Sequence, residues 1–272
     1  MAFTSFDVLF DGTTKKTSSE ATGVSGKMTF SFKKKDPLDN KYTLDLTIQN
    51  TSPVAGNPSG SLTAFAFNVP GASNRTPDFK LLEYEPLISN FGDVFGASTS
   101  SRYPEVNVDN NEILKFPTAT PRTAAYAPFN NFTFCARDDG NSCHGGSGHT
   151  DFGLKDGETA SVRFTLASNL SNINSASLVA QSFYDLFKRP TFTKDGDYKN
   201  AQIALRFQSV TTSSGRTGKS DKVAGYPSLP PQGPGDEVPG PLPILGAATA
   251  FAFSRKLRRR ISVTGSERAV TS

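Results

Sequence analysis

Apolar and polar residues alternate with period two over much of this chain. Residues 27–32 alternate strictly, with Met28, Phe30 and Phe32 on one side and Lys27, Thr29 and Ser31 on the other. Tyr42, Leu44, Leu46 and Ile48 share one face of an extended segment, and Thr43, Asp45, Thr47 and Gln49 share the other. That pattern is the signature of a half-buried strand. Between the two, Pro37 and Asp39-Asn40 supply turn chemistry. Residues 62–69 bring Phe65, Phe67 and Val69 together and stop at Pro70-Gly71. Val162, Phe164 and Leu166 share a face after the Asp156-Gly157 turn, and Ile203, Leu205 and Phe207 read as the last strand. Residues 1–10 also read as a strand. Residues 87–131, with Phe91, Phe95 and Phe116 among Gly, Asn, Ser and Pro, read as short strands and long loops.

The period changes once. Leu178, Val179, Ser182, Phe183, Leu186 and Phe187 fit one face of a helix over 175–189, with Ser175 or Ser177 as its cap and Arg189-Pro190 as its stop. The fold class expected from this pattern is mainly β. It is a β-sandwich of jelly-roll or immunoglobulin-like type with one short helix, followed by a Pro/Gly linker and a C-terminal hydrophobic helix. Residues 1–211 form the β domain. Residues 212–237, rich in Ser, Gly, Lys and Pro, form a disordered linker. Residues 238–261 form a hydrophobic segment with a basic stop, and 262–272 form a tail.

Charge is divided unevenly. The chain carries a net +4. Residues 255–272 contribute +5, so residues 1–254 sum to −1 and give no electrostatic reason to bind nucleic acid. Phe dominates the aromatics at 22, with no Trp. Sugar-stacking platforms favour Trp and Tyr, so the Phe set reads as core.

The C-terminus has a distinct order. The uncharged run 238–254 opens Val238-Pro239-Gly240-Pro241, and Arg255, Lys256, Arg258, Arg259 and Arg260 follow it. An uncharged run closed by a dense basic block is a stop-transfer pattern that puts the basic side in the cytoplasm and residues 1–237 outside. This order of Pro motif, short hydrophobic segment and arginine-rich stop resembles the PEP-CTERM sorting signal of bacterial exported proteins, with Pro239-Gly240-Pro241 standing where that family has Pro-Glu-Pro. The body is similar to domains found ahead of such signals at 44–51 with 62–67, at the cysteine loop, and at 204–208 before 220–223.

The resemblance implies recognition and cleavage by an exosortase-like membrane protease, at least transient anchoring in membrane lipid, and delivery to the cell envelope or its extracellular matrix. It implies no cofactor and no enzymatic activity. The first ten residues have no basic n-region, apolar h-region or small-residue cleavage site. For an exported protein, the expectation is that the true start and its signal peptide lie upstream.

Cys135 and Cys143 are the only cysteines, with seven small or polar residues between them. A local disulfide is the natural reading in an oxidising compartment. Asp138, Asp139, Asn141, His144 and His149 lie in the same stretch, so zinc on two cysteines and two histidines, or calcium on the oxygen ligands, are the metal alternatives. A solvated turn is the plain one. No Gly-x-Ser-x-Gly elbow or phosphate-binding loop is present. Glu83 and Glu85, two apart, are the carboxylate pair a glycosidase would require, and on a strand they share an ordinary solvent face. The two other functions carried forward are a carbohydrate-binding module for extracellular polysaccharide and a hydrolase with an unrecognised site.

Overall fold

The computed structural model describes residues 2–36, 39–53, 56–71, 78–87, 114–115, 124–137 and 153–228. The chain divides into two units, Met1–Pro231 and Gln232–Ser272. The first is mainly β. Its strands are β1 (Ser5–Asp11), β2 (Ser25–Lys34), β3 (Lys41–Asn50), β4 (Ser59–Phe67), β5 (Phe79–Pro86), β6 (Leu114–Lys115), β7 (Ala124–Tyr126), β8 (Phe129–Phe132), β9 (Phe134–Arg137), β10 (Thr159–Ser168), β11 (Ile203–Thr211) and β12 (Lys219–Pro227). One α-helix, α1 (Ala176–Lys188), and a 3-10 turn, Asp197–Asn200, complete the described elements.

Ten strands make one antiparallel sheet in the order β6-β5-β10-β3-β2-β1-β12-β11-β4-β9, and β7 pairs with β8 apart from it. The sheet curls into a half-barrel. Strands β2, β3 and β10 sit where period two placed them, in register. Phe30 faces Leu46 across β2 and β3, and Leu46 faces Val162 across β3 and β10. Alternation puts these residues on the concave face, where they are fully buried.

The two arms of the curled sheet meet through aromatic rings. Phe30 of β2 stands edge-on to Phe67 of β4 at 5.9 Å. Phe164 of β10 stands edge-on to Phe67 at 5.8 Å and to Phe134 of β9 at 5.0 Å. Edge-to-face pairs at these distances add directional attraction to the area they bury.

The helix closes one end of this core. Ser175 is its N-cap and accepts a hydrogen bond from the Leu178 amide. Its buried residues are Val179, Ala180, Phe183, Tyr184 and Phe187. Phe183 lies 5.1 Å from Phe32, and Phe187 lies 5.2 Å from Phe30. The apolar face is therefore rotated from the one expected: Leu178 is 41% exposed, while Ala180 and Tyr184 turn inward. The i, i+4, i+8 line of Val179, Phe183 and Phe187 sets the centre of the stripe because those side chains meet the Phe-lined sheet.

The expected boundary at 211 needs correction. Residues 219–227, placed in the linker, form β12, a central strand that pairs with β1 on one side and β11 on the other. The apparent last strand, β11, is followed by a hairpin partner. Strand β12 reads as linker because only Val223 and Tyr226 are large apolar residues in it. Its inward position 225 is glycine, beneath Val8 and Phe10 of β1. The expected hydrophobic C-terminal helix falls outside the described residues.

Candidate functional site

Strand β4 is buried along nearly its whole length, on both faces. Its convex face is covered by a second apolar cluster in which Ala64, Ala66, Ala204 and Ala224 pack with Phe129, Phe132, Tyr198, Ala201 and Cys135. Small residues let the β8 segment and the 3-10 turn approach the sheet closely. Phe129 stands edge-on to Tyr198 at 5.5 Å.

Cys135 lies here, 4% exposed, opposite Ala66 in the β4–β9 ladder. It is the one member of the cysteine and histidine cluster inside the described residues. Cys143, Asp138, Asp139, Asn141, His144 and His149 fall outside them, as do Val238, Pro239, Gly240 and Pro241 and the basic stop Arg255, Lys256, Arg258, Arg259 and Arg260. Among the described residues, no three His, Cys, Asp or Glu side chains gather as a metal site, and no helix is long and apolar enough to cross a membrane.

In the row that holds Ala64, the same convex face turns basic. Ala64 faces Arg137 on one side and Arg206 on the other, and Arg206 faces Lys222. Arg206 is buried. Burial, and then the Arg206 charge, pull the Lys222 ammonium down to about 8. Its Nζ donates to the Ala127 carbonyl, and Arg137, Arg206 and Lys222 each make further contacts. This row could not be read from sequence, because it exists only once β12 is placed in register beside β11.

On the opposite face of the same strand region, Asp221 is 1% exposed. It accepts hydrogen bonds from the Ser18, Ser19 and Thr22 hydroxyls and from the Glu20 and Thr22 amides. Sequence reading missed it too, since no motif links residues 18–22 to position 221.

The outer face of β1, β2, β3 and β10 is polar. Thr29 donates to Asp7 at 2.6 Å, and Thr47 and Ser161 share a hydrogen bond at 3.0 Å. Arg163 grips Asp45 with two bonds, Nε at 2.5 Å and Nη2 at 2.9 Å. Those bonds hold the Asp45 carboxyl below its ordinary range and raise the guanidinium. Glu83 and Glu85 continue this outer face on β5, opposite Thr165 and Arg163. At its edge Leu9 and Tyr226, register partners across β1 and β12, are 37% and 39% exposed.

Taken together, these arrangements offer hydrogen-bonding surfaces and a basic row. No protein-family model, no curated protein and no solved structure matches this chain.

Proposed function

We propose that this chain is a non-enzymatic cell-envelope or extracellular-matrix protein, its β body displayed outward and its C-terminus a PEP-CTERM-like sorting and anchoring signal. The observation that carries the reading is the tail itself: Val238-Pro239-Gly240-Pro241, an uncharged run to Ser254, then five basic residues among positions 255–260. In its favour, the compact β unit ends at Pro231, so the whole signal falls in the separate unit that begins at Gln232. The partners are an exosortase-like membrane protease and membrane lipid.

The finer fold that accompanies this reading is a β-sandwich of jelly-roll or immunoglobulin-like type. Its support is the pair of sheet arms that face one another across a shared Phe core. A Cys135–Cys143 bridge belongs to the same reading, since an exported loop of this length oxidises readily.

The test is expression of the gene with its upstream region in its own host, followed by cell fractionation and intact mass with and without reductant. A surface-fraction product ending near Pro239, two mass units lighter before reduction, is the expected result. A full-length soluble product with free thiols sinks the proposal.

A second reading, carbohydrate binding, is favoured by Tyr226, an exposed ring beside the polar outer face. Retention on matrix polysaccharide that is saturable and lost in Tyr226→Ala would support it. Unsaturable retention, or equal retention of the variant, would remove it.

A further inference from the structure

Strand β12 joins the two arms of the sheet edge to edge, because β1 pairs with it on one side and β11 on the other. Its entry is fixed by residues that precede it by about two hundred positions. Ser18 forms a bridge with Val223, the Ser19 amide donates to the Lys222 carbonyl at 3.0 Å, and the Ala224 amide donates to the Thr17 carbonyl at 2.7 Å. Between these contacts, residues 18–22 wrap the Asp221 carboxylate. The Ser18 hydroxyl lies 2.7 and 2.6 Å from its two oxygens. The Ser19 hydroxyl donates at 2.9 Å, the Glu20 amide at 3.0 Å, the Thr22 amide at 3.1 Å and the Thr22 hydroxyl at 2.7 Å.

The loop is shaped around that anion. Ala21 adopts φ +54°, a left-handed conformation that costs a non-glycine residue energy. Its own amide is turned onto the Ser18 hydroxyl at 2.7 Å, which leaves the amides of Glu20 and Thr22 on either side aimed at the carboxylate. Successive amides converging about a left-handed residue make an anion-receiving concavity. Three hydroxyls complete it.

We propose that residues 18–22 form a carboxylate-binding nest and that Asp221 is its tethered ligand, latching β12 into the sheet. The nest recognises a carboxylate as such: two oxygens, each met by hydroxyl and amide donors. A free carboxylate of small size therefore fits it when the tethered one is removed. The latch holds the strand through which the β1 arm and the β11 arm are joined edge to edge. The inference stands whether or not the sorting reading does.

The experiment is thermal unfolding of the full chain carrying Asp221→Ala, with sodium formate against sodium chloride at equal ionic strength. The variant is expected to melt roughly 5–10 °C below the parent, as loss of several buried charge-assisted bonds implies for a chain of this size. Formate is expected to restore at least half of that loss saturably, with chloride ineffective and the parent indifferent to formate. A variant that melts with the parent, or formate acting no better than chloride, overturns the proposal. Should the variant not fold, amide hydrogen exchange on the parent decides. The Glu20 and Thr22 amides must exchange together with Val223 and Ala224 if one latch governs them. Free exchange at Glu20 and Thr22 beside protection in β12 overturns it.

Discussion

Gly225 of β12 lies against Phe10 of β1 so closely that a Cβ at position 225 would stand 2.5 Å from the Phe10 ring and 2.6 Å from a Val8 methyl. Both neighbours are buried core side chains and cannot swing into solvent. The glycine is therefore set by close approach rather than by a left-handed backbone. Gly225→Ala is expected to cost about 1–3 kcal/mol through overpacking. Urea unfolding checks this: the midpoint should fall with an unchanged m-value. An unaltered midpoint would mean that β12 does not press on β1 as described.

How far the sequence disclosed the fold follows from what each strand touches. Strands β2, β3 and β10 were legible because one face meets the Phe core and the other meets water, so Tyr42, Leu44, Leu46 and Ile48 alternate with Thr43, Asp45 and Thr47. Strand β4 was recognisable but not its two-sided burial, since Ala64 and Ala66 look neutral until Phe129, Phe132 and Tyr198 are laid over them. Strand β12 was illegible. Its inward positions hold Asp221 and Gly225, whose burial depends on residues 18–22 and on Phe10. The helix cap at Ser175 was readable from local chemistry, whereas the rotation of the helix depended on where the sheet presents Phe30 and Phe32. The Arg206–Lys222 pair needed the β11–β12 register, and the cysteine cluster reaches the described residues only at Cys135.

Lys222 gives a pH signature. Its folded pKa, about 8, lies below the ordinary 10.5, chiefly through burial and then through Arg206. A lysine depressed on folding binds fewer protons in the native state than in the unfolded chain between those values. Its contribution to stability therefore rises as pH climbs from about 8 toward 10.5, and below about 8 the charged amine opposes folding. Lys222→Met is expected to raise stability at pH 7 and to flatten that alkaline rise relative to the parent. Urea midpoints at pH 7, 8, 9 and 10 for both chains check it. Parallel curves would show that Lys222 titrates normally.

Asp45 gives the acid counterpart. Its carboxyl is held below its ordinary value first by the Arg163 hydrogen bonds, which outweigh its partial burial. A depressed carboxylate contributes stability above its unfolded pKa and loses it as pH falls through the folded value, so the window lies below about pH 4. The pair is partly open to solvent, with Asp45 19% and Arg163 37% exposed. A double-mutant cycle on Asp45→Asn and Arg163→Gln is therefore expected to give a coupling of about 1 kcal/mol at pH 7. The coupling should vanish as Asp45 protonates. A coupling that persists unchanged at pH 2.5 would assign it to something other than the ion pair.

The helix offers a paired comparison in which sequence and structure disagree on one residue. Leu178 was expected on the apolar face with Phe183, yet it is 41% exposed while Phe183 is fully buried. Phe183 meets Phe30, Phe32, Phe79 and Phe187. Removing its ring leaves a cavity among aromatic walls that cannot collapse without moving strands β2 and β5. Phe183→Ala is expected to cost about 3–5 kcal/mol. Leu178→Ala removes a side chain that touches water over much of its surface, in a helix where alanine is the better former, and should stay within about 0.5 kcal/mol of the parent. Equilibrium unfolding of the two variants decides the orientation of α1. A large loss at Leu178 with a small one at Phe183 would turn the helix back to the face read from sequence, and the Phe183 and Phe187 contacts to the sheet would have to be abandoned with it.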